Sequence, residues 1–352
     1  MNRNQSLDAY RGFVMFLMMA EVLRLSKVSQ SFPDNAFWAF LAYHQTHVEW
    51  TGASLHDMIQ PSFSFLAGAA LPYSIAARVA KGANEARLFT DALWRAFVLI
   101  ALGIFLRSTH STQTNYTFED TLTQIGMGYP FLFLLGWRPP KWAWVALGAI
   151  LGGYWLAWTL YPVPDAWAKN NNLGHFFDVW FLNLFPRAKL FEANRGGYLT
   201  LSFIPTLATM ILGLIAGRWI REAASQSKLL ITGAAAIAAG LLLHLTGLCP
   251  IVKRIWTPAW VLFSGGICFW LTSAFHWVIE VKNYRKWAFP LIVIGMNSIA
   301  AYLIAHLFED FIASSLKIHF NELSTPFHGA LILLAYWLIL WWMYNRKLFL
   351  KI

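Results

Sequence analysis

Leu229–Leu243 reads LLITGAAAIAAGLLL, a stretch without one ionisable side chain, and it sets the class of the fold. A water-soluble helix sets a polar face against its apolar stripe; this one has none to offer. Four further apolar runs, interrupted by no charge except Arg95, stand along the chain at Phe13–Met19, Ala92–Phe105, Trp260–Phe275 and Ala330–Met343. A hydrocarbon core about 30 Å thick takes about 20 residues at about 1.5 Å each. In lipid every backbone group must bond within its own segment, so such runs form helices. A membrane β-barrel would show short alternating segments instead.

Composition points the same way. Hydrophobic residues make up 58% of the 352, aromatics 17% and charged residues only 12%, where a soluble domain carries about 25% charged residues. Too few ionisable groups remain to cover a water-facing surface. The expected fold is all-α, a polytopic integral membrane bundle of about ten transmembrane helices. The segments read as spans are 10–26, 57–79, 92–108, 121–137, 141–160, 199–220, 228–247, 257–279, 288–313 and 328–345.

The net charge of +10 does not imply a nucleic-acid partner, because the basic residues are dispersed between apolar runs rather than gathered on one stripe. Most fall on one side when the spans alternate: Arg3 and Arg11, then Arg78, Lys81, Arg87 and Arg95, then Arg138 and Lys141. The series continues with Arg218, Arg221 and Lys228, with Lys282, Arg285 and Lys286, and with Arg346, Lys347 and Lys351. Short loops rich in Lys and Arg mark the cytoplasmic side, which puts both termini inside. The opposite side holds two long loops, about 27–56 and 161–198, whose aromatic content argues for packed caps rather than disorder. One domain, 1–352, is expected. Cys249 and Cys268 form no disulfide framework and no zinc spacing, and no metal is expected. The absence of a cleavable signal and of a large soluble N-terminal domain favours a bacterial inner membrane.

Polar residues inside such a chain carry the functional signal, because an ionisable group at a span centre costs at least about 2.5–3.5 kcal/mol. Asp8 and Arg11 lie one turn apart at the entry to the first span, where a capping residue (Ser6 or Asp8) and an interfacial arginine explain them as well as a site does. His44, His47, Glu49, His56 and Asp57 crowd the approach to the second span. A general base with an acidic partner and a set of solvated interfacial histidines are both open there. Gln124, with Gly128 and Pro130, bonds either a ligand or a neighbouring helix. Asn297 or Ser298, Tyr302, His306 and Glu309 recur at helical spacing in the ninth span, a polar stripe that must face the bundle or a water-filled cavity.

Taken in order, these blocks resemble the heparan-α-glucosaminide N-acetyltransferase family and its bacterial relatives. The matching residues are Ser6-Leu-Asp-Ala-Tyr-Arg-Gly12, then His47-x-x-Trp50-x-Gly52 followed by Asp57-Met-Ile-x-Pro61, then Leu122-x-Gln124-Ile-Gly126. Leu212-Gly213, Trp256-Thr257 and Gly295-Met-Asn297-Ser298 with Tyr302 complete the series over nearly the whole chain. The resemblance implies transfer of an acetyl group from cytoplasmic acetyl-CoA to an amino sugar or related oligosaccharide acceptor across the membrane. It implies His47 as the catalytic residue, Asp57 as its acid, and Asn297 and Ser298 in the site with Tyr302 nearby. His306 sits one position off the family's histidine. Gln124, Trp50 and Trp180 are further substrate-binding candidates, with Trp167 beside them, and Arg11 and Arg95 are candidates for the phosphates of acetyl-CoA. Two departures stand out: Glu21 where many members carry Asn, and Asn194-Arg195-Gly196-Gly197 in place of an acidic turn. The rival reading is a proton- or ion-coupled sugar transporter working through His306 and Glu309. Besides acetyl-CoA and the acceptor, the lipid bilayer is the expected partner, with a homodimer left open. If the acyltransferase reading holds, His47 and Asp57 face the stripe of the ninth span across the bundle.

Overall fold

The computed structural model describes residues 4–223, 226–320 and 325–350. Arg3 and Lys351, counted above on the cytoplasmic side, lie outside the described residues. The described chain is helical, with a single antiparallel bridge between Thr51 and Val252 and no strand. In chain order the helices are α1 (Gln5–Met19), α2 (Leu25–Ser31), α3 (Ala36–His44), α4 (Ile59–Val79), α5 (Glu85–Ser108), α6 (Thr121–Trp137), α7 (Pro140–Leu160) and α8 (Leu173–Leu182). There follow α9 (Phe203–Arg221), α10 (Gln226–Leu245), α11 (Pro258–His276), α12 (Phe289–Met296), α13 (Ser298–Leu307), α14 (Glu309–His319) and α15 (Thr325–Asn345).

Six segments are long and apolar enough to cross a membrane, based on α5, α7, α9, α10, α11 and α15; a bent pair built on α12 and α13 makes a seventh. Each of the ten segments read from the sequence falls on a helix, but α1, α4 and α6 stand outside those six. The reasons are physical. At 15 and 17 residues, α1 and α6 are short, while Gln60, Ser62 and Ser64 make the 21-residue α4 too polar.

α9 is the hub, its apolar stretch 83% buried against 22% for α10. It packs most closely on α4, where glycine is required: a Cβ on Gly213 would collide with the Phe65 carbonyl, and one on Gly68 with the Met210 carbonyl. α1 crosses α12 in the same way through Gly12 and Gly295. These two crossings gather α1, α4, α9 and α12 into one core.

Three expectations need correction. Asn4, rather than Ser6 or Asp8, caps α1, its side chain accepting from the Leu7 amide at 3.1 Å. The first span stops at Met19, and a single 3-10 turn over Ala20–Leu23 leads to Arg24 in the left-handed region. The ninth span is not one helix: it bends by 68° at Asn297 and breaks again at Phe308. The loops about 27–56 and 161–198 carry α3 and α8, while α2 begins just ahead of the first.

Candidate active site

Two loops build the site. The segment after α3 is pinned to the segment before α11 through the Thr51–Val252 bridge and a bond from the Gly52 amide to the Ile251 carbonyl at 3.0 Å. Gly52 sits at φ +113°, a conformation that other residues rarely adopt. Arg254 closes the join by donating to the Val48 carbonyl at 3.2 Å. Thr257 caps α11, accepting from the amides of Trp260 and Val252, and donates to the Pro250 carbonyl at 2.6 Å. The consequence is that Lys253, buried, is held beside His47.

Asp57 lies at the centre. Its Oδ1 is 2.8 Å from His47 Nδ1 and 3.3 Å from Lys253 Nζ. Its Oδ2 accepts from the amides of Val48 and Ser54, at 3.2 and 3.0 Å, and from Ser54 Oγ at 3.0 Å. Burial alone would raise this carboxyl. The His47 bond, the lysine cation and the Val48 amide outweigh it and hold Asp57 below the usual carboxylate range. Burial pushes the Lys253 ammonium down to about 8, against the support of Asp57. Burial also lowers His47; the bond to Asp57 opposes that, and Lys253, 3.1 Å from Nδ1, adds to it. In the neutral imidazole, the tautomer that carries its proton on Nδ1 donates to Asp57. Nε2 is left with its lone pair, the state a general base or nucleophile needs.

This group opens into a cavity of about 670 Å³ at the end of the bundle that the sequence expectation makes the outer one, lined by His47, His56, Glu21, Glu119, Lys253 and His306 among others. A second cavity of about 540 Å³ lies at the other end of the same helices. Its walls carry Asp8 and Arg11 from the first half of α1, Tyr73 from the second half of α4 and Arg95 from the middle of α5. Phe63, Thr121 and Tyr302 line both, so these three residues form a wall common to the two cavities.

No protein-family model matches the chain. Heparan-alpha-glucosaminide N-acetyltransferase from Homo sapiens is 23% identical over 416 residues, covering 99% of this chain and 60% of that protein. The Mus musculus protein of the same name is 23% identical over 423 residues, covering 100% of this chain and 61% of its own length. This chain is a distant relative of heparan-alpha-glucosaminide N-acetyltransferase. It spans about three-fifths of the length of these two relatives.

Of the residues singled out from the sequence, His47 and Asp57 come together, and Tyr302 and His306 share their cavity. The His306 ring stacks on Tyr302 with centroids 4.1 Å apart, and Glu309 lies in the same wall. Second-span and ninth-span residues therefore do face one space. Ser298, Arg11 and Arg95 line the inner cavity; Arg11 pairs with Asp8 at 3.3 Å, and Arg95 donates to the Tyr129 hydroxyl at 3.2 Å.

The remaining candidates are elsewhere. Asn297 is fully buried at the bend, donating to the Leu348 carbonyl at 2.8 Å and accepting from the Leu350 amide at 3.1 Å. Gln124 donates to the carbonyls of Phe118, Leu199 and Thr200, tying α6 to the entry of α9. Trp50 donates to the Trp167 carbonyl at 3.0 Å and packs in the cap. Trp180 is exposed on α8 and lines neither cavity.

Sequence reasoning missed Lys253, Glu119 and Tyr198. Lys253 had a signal, being a lysine on the side expected to be poor in basic residues, four positions before Thr257. Glu119 had none: burial raises its carboxyl, and only the fold carries it to the cavity. Tyr198 enters through the Asn194-Arg195-Gly196-Gly197 turn. There Asn194 accepts from the amides of Gly196 and Tyr198, and Arg254 stacks over the Tyr198 ring at 4.8 Å.

Proposed function

We propose that the chain is a membrane-embedded acyltransferase that carries an acetyl group from acetyl-CoA on the cytoplasmic side to an amino sugar, free or in an oligosaccharide, on the other. The observation that carries this reading is the common wall of two unlike cavities at Phe63, Thr121 and Tyr302, with His47, paired to Asp57, lining the outer one. The names of the two relatives support N-acetyl transfer, and the ten helical segments are read as passes, α12 and α13 forming one bent pass.

The inner cavity suits acetyl-CoA by its chemistry. Arg11 and Arg95 supply cations for phosphates, and Leu7, Met15, Leu99 and Ile125 give an apolar wall for a thin arm. Along α4 it runs from Phe63 to Ala77, roughly 21 Å at 1.5 Å per residue. An arm lying along this wall brings its thioester to the shared residues while its phosphates meet the two arginines.

In the outer cavity His47 Nε2 takes the proton that the attacking nitrogen loses as the amide forms. Asp57 fixes the ring and stabilises its cation. Capture of the acetyl group on His47 itself is the alternative route for the same ring. Lys253 offers positive charge beside the site as the thioester carbonyl gains negative charge. The transport reading lost ground with the relatives, and its residues His306 and Glu309 lie in the wall of this same cavity.

The test uses purified protein, acetyl-CoA and glucosamine, with the product followed by mass spectrometry. Acetylated sugar is expected from the wild type and none above background from His47→Ala. Full turnover in His47→Ala would overturn the mechanism. Sugar uptake into sealed proteoliposomes without any acyl donor would return the case to transport.

A further inference from the structure

The outer cavity holds a second imidazole–carboxylate couple that the mechanism above does not use. His56 and Asp57 are neighbours in one 3-10 turn, His56–Met58, yet they face different partners. Asp57 turns to His47, whereas His56 Nε2 lies 3.1 Å from Glu21 Oε1. Glu21 stands on the turn that follows α1, so the couple ties the outer end of α1 to the start of α4. The two imidazole rings lie 4.4 Å apart, centroid to centroid, and both line the cavity. Among the described residues the His56 side chain makes no other hydrogen bond, which leaves Nδ1 for a substrate.

The charges around the two rings differ. Asp57 divides its attraction between His47 and Lys253, so His47 works beside a cation. Glu21 is ion-paired with His56 and with no lysine or arginine among the described residues. Two imidazoles side by side, each held by its own carboxylate, are suited to two successive proton removals. Acetylation of an amine has two such tasks. A basic amine arrives as an ammonium and must lose one proton before its lone pair exists; it loses a second as the amide forms. One ring cannot do both without releasing the first proton in between.

We propose that His56, held by Glu21, is the base that removes the first proton from a cationic amine acceptor, leaving His47 for the second; this rests on the acyltransferase reading above. In the first step an N–H bond of R–NH₃⁺ breaks and its proton binds His56 Nδ1, giving R–NH₂ and an imidazolium paired with Glu21. In the second the amine lone pair forms the N–C bond and the bond from the acetyl carbon to sulfur breaks. The second proton passes through His47 to the departing thiolate. His56 then returns its proton to water in the cavity, and nothing is oxidised or reduced. The acceptor class that follows is a primary amine protonated at neutral pH, drawn in by Glu21.

The test compares two acceptors at neutral pH: glucosamine, largely protonated, and hydroxylamine, largely neutral and in no need of the first step. His56→Gln is expected to lower kcat/KM for glucosamine by up to roughly tenfold, the limit set by the fraction of free amine at neutral pH, with hydroxylamine changed less than about threefold, which also certifies folding. Glu21→Gln should follow the same pattern more weakly, and raising the pH, which supplies free amine, should recover both variants on glucosamine. Equal losses on the two acceptors, or no loss on either, would overturn the proposal. A wild-type protein that acetylates neither acceptor would instead overturn the acyltransferase reading, and this assignment with it.

Discussion

The outer and inner cavities share three residues at their junction and almost nothing else. The outer one is built of titratable groups that correct one another: a histidine, a lysine and a carboxylate within 3.3 Å. The inner one is mostly apolar, with two arginines in its walls, each occupied by a neighbour. The contrast separates chemistry from anchoring. Groups that exchange protons must be desolvated and mutually tuned, whereas groups that hold a phosphate need only charge and reach. Substitutions at the outer end should therefore change kcat and pH behaviour, and those at the inner end KM.

The largest effect is expected at Asp57. Asp57→Asn removes the acceptor of the His47 proton and should lower kcat by about 10³–10⁴-fold. It also leaves Lys253 buried without its counter-charge, a loss of about 3–5 kcal/mol in thermal unfolding. Adding Lys253→Met should restore part of the stability and none of the activity. If the single variant is as stable as wild type, the ion pair does not hold the two loops together.

Lys253→Met alone sharpens the electrostatic half of the contrast. Burial lowers His47 and the Lys253 cation adds to the lowering, so without the cation His47 rises and the acid limb of the pH–rate profile moves to higher pH. Any alkaline change near 8, where Lys253 loses its proton, should vanish. At neutral pH the rate should fall by about tenfold. An unmoved acid limb would mean that Lys253 acts only in packing.

At the inner end, Arg11→Gln together with Arg95→Gln should raise KM for acetyl-CoA by roughly tenfold with kcat unchanged, the signature of lost ground-state binding. A fall in kcat at constant KM would erase the distinction between the two ends. The smallest effect is expected at Asn297. Its side chain clasps the backbone of Leu348 and Leu350, so Asn297→Ala should cost about 1–2 kcal/mol of stability. It should leave kcat within about twofold; a fall of a hundredfold would show that Asn297 reaches the substrate after all.

Much of the architecture was legible because lipid imposes a simple rule on sequence: the runs at 229–243 and 330–343 admit only helices. The polar helices were harder for the reason that makes them functional. Gln60, Ser62 and Ser64 dilute α4, and the bend at Asn297 hides inside a hydrophobic stretch. At the site, His47 and Asp57 were readable from ten residues of local sequence, because the turn at Gly52 folds that stretch back on itself. Lys253 was not, since it is placed by a bridge between Thr51 and Val252, about 200 positions apart in the chain. Asn297 and Gln124 could not be decided from sequence: a buried amide satisfied by backbone groups looks, in sequence, the same as one waiting for a ligand.

One sided experiment addresses the common wall of the two cavities directly. Protein is reconstituted in sealed vesicles with glucosamine trapped inside and acetyl-CoA supplied only outside. A path through the junction at Phe63, Thr121 and Tyr302 predicts acetylated sugar inside the vesicles, free CoA thiol appearing only outside, and neither with His47→Ala. Product forming only where sugar and acetyl-CoA share one compartment would contradict it.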